Sequence, residues 1–78
     1  MGTRSEPGRY DCHAKALPDE PHFTLIGRDP FAPPLIEAWA KAAEAAGEDR
    51  EKVAEARALA VRMRQWRKLN KPPPEGYL

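Results

Sequence analysis

Cys12, His13 and His22 are the only thiol and imidazole side chains in a chain of 78 residues, so any transition-metal or thiol chemistry must be built from them. Zinc sites draw on ligand pairs at short fixed spacings such as CxxC or HxxxH, and neither occurs here. If residues 10–17 form a strand, Cys12 and His13 point to opposite faces. His13 and His22 then share a face but lie several residue pairs apart, too far to hold one ion. A Cys/His nucleophile needs an imidazole oriented by a third group and an oxyanion loop, and the sequence offers neither. Asp11, Asp19, Glu20 and Asp29 are each accounted for by pairing, turn or capping roles. Gly27 stands alone, so no phosphate-cradling loop is present. The expectation is a protein with no catalytic residue, no metal and no cofactor, that is, not an enzyme.

The charged residues are more informative. Thirteen basic and twelve acidic side chains nearly cancel, but they are not evenly spread. Residues 37–55 carry six acids and three bases, whereas residues 56–71 carry six bases and no acid. Arg57, Arg64 and Lys68 recur at i, i+7 and i+11, one helical face, with Arg62, Arg67 and Trp66 beside them. A helix dipole favours acids at its start and bases at its end, but its effect decays within a turn and does not call for this many cations. Arg57, Arg62, Arg64, Arg67 and Lys68 are therefore candidate ligands for an anion or a partner, including a nucleotide or nucleic-acid phosphate.

These groups need elements to position them. Residues 1–8 are polar and read as a flexible N-terminal tail. From Tyr10 to Leu17 the chain alternates, and from His22 to Arg28 it alternates again, with Pro18-Asp19-Glu20-Pro21 between as turn chemistry. A hairpin folded about that turn sets Ala16 opposite Phe23, Ala14 opposite Leu25 and Cys12 opposite Gly27. On its other face Leu17 meets His22, Lys15 meets Thr24, His13 meets Ile26, and Asp11 meets Arg28 as an acid–base pair. Asp29-Pro30 is a cap followed by a helix starter, but Pro33 and Pro34 would break a helix already under way. The regular helix is therefore placed near Ala32–Pro33.

Leu35, Ile36, Trp39, Ala42, Ala43 and Ala46 form the apolar stripe of this first helix, with Glu37 and Lys41 as an i,i+4 pair on its wet side. Gly47 suits the residue just past its end. Asp49 caps a second helix with the stripe Val53, Ala56, Leu59, Ala60, Met63 and Trp66, which Asn70 ends and Pro72-Pro73-Pro74 cannot continue. The fold class expected is α+β: a β-hairpin backed by an antiparallel helical hairpin (ββαα). It forms one small domain over residues 9–71, with a Pro-rich C-terminal tail over 72–78.

A chain of this length supplies only about 3–5 kcal/mol from its core, and a single cysteine permits no internal disulfide. A lone two-stranded sheet has bare edges and is marginal. Both points lead to a homo-oligomer, with a dimer favoured, built on the exposed sheet face of His13, Leu17, His22 and Ile26. No apolar run approaches the ~20 residues of a membrane span, and MGTRSEPGRY has no signal-peptide core. A cytoplasmic protein with no membrane partner is expected.

The run Asp19-Glu20-Pro21-His22-Phe23-Thr24-Leu25-Ile26-Gly27-Arg28-Asp29-Pro30-Phe31-Ala32-Pro33, followed by Leu35 and Trp39, resembles a group of small phage and prophage proteins that share a DEPxFxLxGxDPxAPxLxxxW pattern. The resemblance covers about a third of the chain, and Pro34 departs from it by stiffening the helix start. It implies a setting, an infected bacterial host, and not an activity. Small phage accessory proteins of this sort act by binding a host or phage protein, for example by occluding an anti-phage defence complex. The alternatives are a nucleotide-signal or nucleic-acid binder using the basic helix end, and a helper in virion or replication assembly.

Overall fold

The computed structural model describes residues 1–70; Lys71 and the Pro-rich tail expected over 72–78 lie outside the described residues. Three helices make up its regular structure: α1 (Cys12–Lys15), α2 (Ala32–Ala45) and α3 (Arg50–Asn70). Among the described residues there is no strand. The expected β-hairpin, and with it the ββαα reading, is therefore overturned, and the protein is helical.

The reason lies in local chemistry that outcompetes a weak alternation. The Asp11 carboxylate accepts from the Ala14 backbone N–H, capping α1, and the Ala16 N–H closes onto the Cys12 carbonyl. Cys-His-Ala-Lys-Ala is a better single helical turn than a strand, because alanine and lysine favour helix and are depleted from sheets. The hairpin register set Asp11 opposite Arg28; Asp11 acts instead as this cap. At the Pro18–Pro21 turn the Glu20 carboxylate takes the Leu17 N–H at 3.0 Å and the Glu20 N–H takes the Leu17 carbonyl. That turn closes on itself and leaves residues 21–26 without regular secondary structure.

Asp29 opens the way into α2. Its carboxylate accepts from the Phe31 N–H at 2.9 Å and its carbonyl from the Ala32 N–H. The helix proper begins at Ala32, and the Leu35 N–H makes the first bond back to Phe31. Pro33 and Pro34 thus occupy the first turn, where the N–H groups they lack would have had no helical partner. At the far end, Gly47 adopts φ +82°, its N–H bonds to the Glu44 carbonyl, and the Glu48 N–H to the Ala43 carbonyl. This is a Schellman closure, which a glycine in the left-handed region makes possible. Asp49 then starts α3, its carboxylate taking the Glu51 N–H at 2.9 Å and its carbonyl the Val53 N–H.

α2 packs antiparallel on α3. The buried contact is made of Ala32, Pro33 and Ala40 from α2 and Val53, Ala56, Ala60 and Met63 from α3. Among the described residues no large side chain is fully buried. The α3 stripe holds as expected apart from Trp66, which is exposed, and Leu59, which is half-buried. The α2 stripe is rotated: Ile36 and Ala43 turn inward with Ala40, while Leu35, Trp39, Ala42 and Ala46 stay exposed. Alanine at position 40 lets the two backbones approach closely, and that approach selects the small-residue face over the large one.

The first residues, expected as a loose tail, also carry contacts. Met1 packs against the Ala40–Val53–Ala56 cluster. Its amino group donates to the Tyr10 carbonyl at 2.8 Å and pairs with Glu55 at 3.0 Å. Arg9 pairs with Glu51, and the Tyr10 hydroxyl donates to Asp49 at 3.2 Å. Gly27, further along, lies beside Met63 and Trp66 of α3.

Candidate functional site

The five cations singled out on α3 do not form one patch. Arg57 pairs with Glu44 of α2 at 2.7 Å. Arg64 pairs with Glu37 of α2 through both of its terminal nitrogens. The i,i+4 partner expected for Glu37 was Lys41; the ion pair it makes is with Arg64, across the helices. Hydrogen bonds from these guanidiniums hold the Glu37 and Glu44 carboxyls below the usual glutamate range, and the carboxylates in turn raise Arg64 and Arg57. Two of the candidate anion ligands are therefore committed to joining helices. Arg62, Arg67 and Lys68 remain exposed with no ion-pair partner among the described residues, beside the half-exposed indole of Trp66.

The second set, His13, Leu17, His22 and Ile26, no longer shares a sheet face, because there is no sheet. His13 sits on α1, Leu17 follows it, and His22 and Ile26 lie on the irregular segment over 21–26; all four are exposed. The structure does bring two of them together. The His13 and His22 rings stand edge to face with centroids 4.9 Å apart, which corrects the separation that the hairpin register implied. Cys12, next to His13, is a free, exposed thiol. No group of three or more His, Cys, Asp or Glu side chains converges on a common point among the described residues.

A third surface was not singled out from the sequence. Phe31 (63% exposed), Leu35 (55%) and Trp39 (40%) recur at i, i+4 and i+8 along one flank of α2. Beyond Trp39 that flank runs over Ala42 and Ala46 into an open concavity of about 480 Å³ lined also by Ala43, Gly47 and Glu48. The Lys52 ammonium lies 5.6 Å from the Trp39 ring centre and covers one side of it. The signal was present, since Phe31, Leu35 and Trp39 have helical spacing. From the sequence, Leu35 and Trp39 fall on the expected buried stripe, because an apolar helix face is usually an inward one, and Phe31 lies before it.

No titratable group stands in a closed pocket on any of the three surfaces. They offer apolar contact, cation contact and imidazole nitrogens, all open to solvent. The chain matches no known protein family, no curated protein and no solved structure. No helix among the described residues is long and apolar enough to cross a membrane.

Proposed function

We propose that the chain is a non-catalytic binding protein that self-associates through the outer flank of α2 and acts by occluding a protein partner. The observation that carries this reading is the inversion of its apolar residues. The core is built from alanine, valine and methionine, while Leu17, Phe23, Phe31, Leu35, Trp39 and Leu69 are left largely exposed. Monomeric proteins rarely leave contiguous apolar surface of this kind uncovered unless a partner covers it.

The α2 flank suits a second copy of the chain. Its large residues, Phe31 and Leu35, lie toward the start of the helix and its small ones, Ala42 and Ala46, toward the end, with Trp39 between. In a two-fold antiparallel pairing, Phe31 and Leu35 of one α2 meet the small residues near the end of the other, and Trp39 lies at the two-fold axis beside its own copy. The remaining exposed apolar residues, Leu17, Phe23 and Ile26, stay available for a different protein. The resemblance to small phage and prophage proteins supports a host or phage protein as that target, with occlusion of an anti-phage defence complex as the specific reading. Sedimentation equilibrium tests the self-association. A dimer mass for the wild type and a monomer mass for Leu35→Glu support it, and a wild-type monomer at tens of micromolar refutes it.

The basic end of α3 supports a second reading. Arg62, Arg67 and Lys68, exposed and without an ion-pair partner among the described residues, together with Trp66 supply cations and a stacking surface suited to a phosphate-bearing ligand such as a nucleotide or single-stranded nucleic acid. That reading expects oligonucleotide binding that falls steeply with salt and is lost in an Arg62→Ala/Lys68→Ala variant. It no longer draws on Arg57 or Arg64, whose charges are already met.

A further inference from the structure

We infer that His13 and His22 form a two-imidazole site for a divalent transition metal of the zinc, nickel or copper class. The two residues are nine positions apart in sequence and come from different local structures, α1 and the irregular segment after the Pro18–Pro21 turn. Nothing in the helical core requires them to meet, yet their ring centroids lie 4.9 Å apart with the planes at 81°.

That spacing has a chemical meaning. A zinc–nitrogen bond of about 2.0–2.1 Å, extended by the distance from nitrogen to ring centre, puts the centroids of two imidazoles on one tetrahedral ion about 5 Å apart. The backbone therefore already holds the rings at the separation that bidentate coordination needs. Rotation about χ2, which is a soft torsion for histidine, turns the ring nitrogens toward a common point while the centroids stay nearly in place. Both side chains are exposed, so no packing opposes the rotation and the ion has an open path. Neutral imidazole is a borderline ligand, which selects zinc, nickel or copper(II) over magnesium or calcium. The other coordination positions are open to water, since among the described residues no third His, Cys, Asp or Glu side chain converges on the pair.

Isothermal titration of the full chain with Zn²⁺ alone is the test, applied to the wild type, His13→Ala, His22→Ala and Cys12→Ser. Helicity by circular dichroism confirms that each variant keeps the helical pair; the three positions are exposed and lie outside the α2–α3 contact. The expected result is saturable binding by the wild type, weakened at least tenfold by either histidine substitution. Cys12→Ser leaves the affinity unchanged, because the thiol does not converge with the two imidazoles. Absence of saturable binding in the wild type overturns the site. So does binding that survives His22→Ala or His13→Ala undiminished. Neither result bears on the self-association of α2, which is read from solution mass.

Discussion

Arg64 of α3 grips Glu37 of α2 with both terminal guanidinium nitrogens, Nη2 donating to Oε1 at 2.8 Å and Nη1 to the other carboxylate oxygen. Seven residues away on each helix, Arg57 meets Glu44 at 2.7 Å. The two pairs lie along one seam and share one antiparallel register, so together they set how α2 and α3 slide and rotate against each other. A planar fork on a carboxylate is the ion pair with the most geometric content. Its value here is in specifying register, since exposed pairs add little to stability.

Acid should loosen that seam. The Glu37 carboxyl is held below its ordinary value of 4.5 by the hydrogen bond from Arg64. A carboxylate depressed in the folded state contributes stability above its unfolded value, and that contribution is lost as pH falls through the folded value. Melting temperature measured from pH 7 down to pH 3 should therefore drop below about pH 4.5. Glu37→Gln should start slightly lower at neutral pH and show a shallower drop. Identical pH profiles for the two proteins would show that the seam is not holding.

Gly47 offers a cleaner stability test. A Cβ at this position would meet nothing within 4 Å, so the only penalty on alanine is its φ of +82°. Gly47→Ala should cost about 1 kcal/mol, the usual price of a left-handed residue with a side chain. Urea denaturation with an unchanged m-value would report it. A stability equal to wild type would mean that α2 ends in some other way.

Ala60 is fully buried, whereas Ala45 is exposed on the same helical pair. Ala60→Leu forces extra methylenes into a close helix–helix contact and should destabilise by about 1–3 kcal/mol. Ala45→Leu should change stability little. Paired chemical denaturation curves check the difference. If both substitutions are neutral, the helices are not in close contact.

On the outer flank of α2 the order reverses. Leu35→Glu and Trp39→Ser remove apolar side chains that are 55% and 40% exposed, so each monomer should keep its helicity and melt within a few degrees of wild type. Their solution mass, in contrast, should fall to that of a monomer. Loss of helicity alongside the loss of mass would place these residues in the fold and not in an interface.

The helical half of the fold could be read from residue types. Asp49 and Gly47 do at α3 and α2 what such residues do anywhere, cap a start and turn left-handed at an end; Asp29, expected as the cap of α2, bonds the Phe31 N–H just outside the helix, which starts with no side-chain cap. The prolines placed the α2 start, because only the first turn tolerates missing N–H groups. Val53, Ala56, Ala60 and Met63 were legible as one face of α3 from their spacing. The alternation of residues 10–28 was not decisive. Alternating runs of eight and seven residues, the first with alanine at 14 and 16, are weak evidence for a strand, and nothing local marks whether a pairing partner will be reached.

By itself, then, the sequence determined the two long helices, the end of α2 and the start of α3. Those outcomes depend on a residue and its immediate neighbours, through φ, N–H donors and side-chain caps. Only the tertiary structure decided which flank of α2 faces α3, that Arg57 and Arg64 are spent on Glu44 and Glu37, and that His13 and His22 stand 4.9 Å apart. Each of these depends on two segments meeting in space. The apolar pattern of α2 was wide enough to allow two rotations. It was the close approach of small residues, sealed on one side by paired charges, that chose between them.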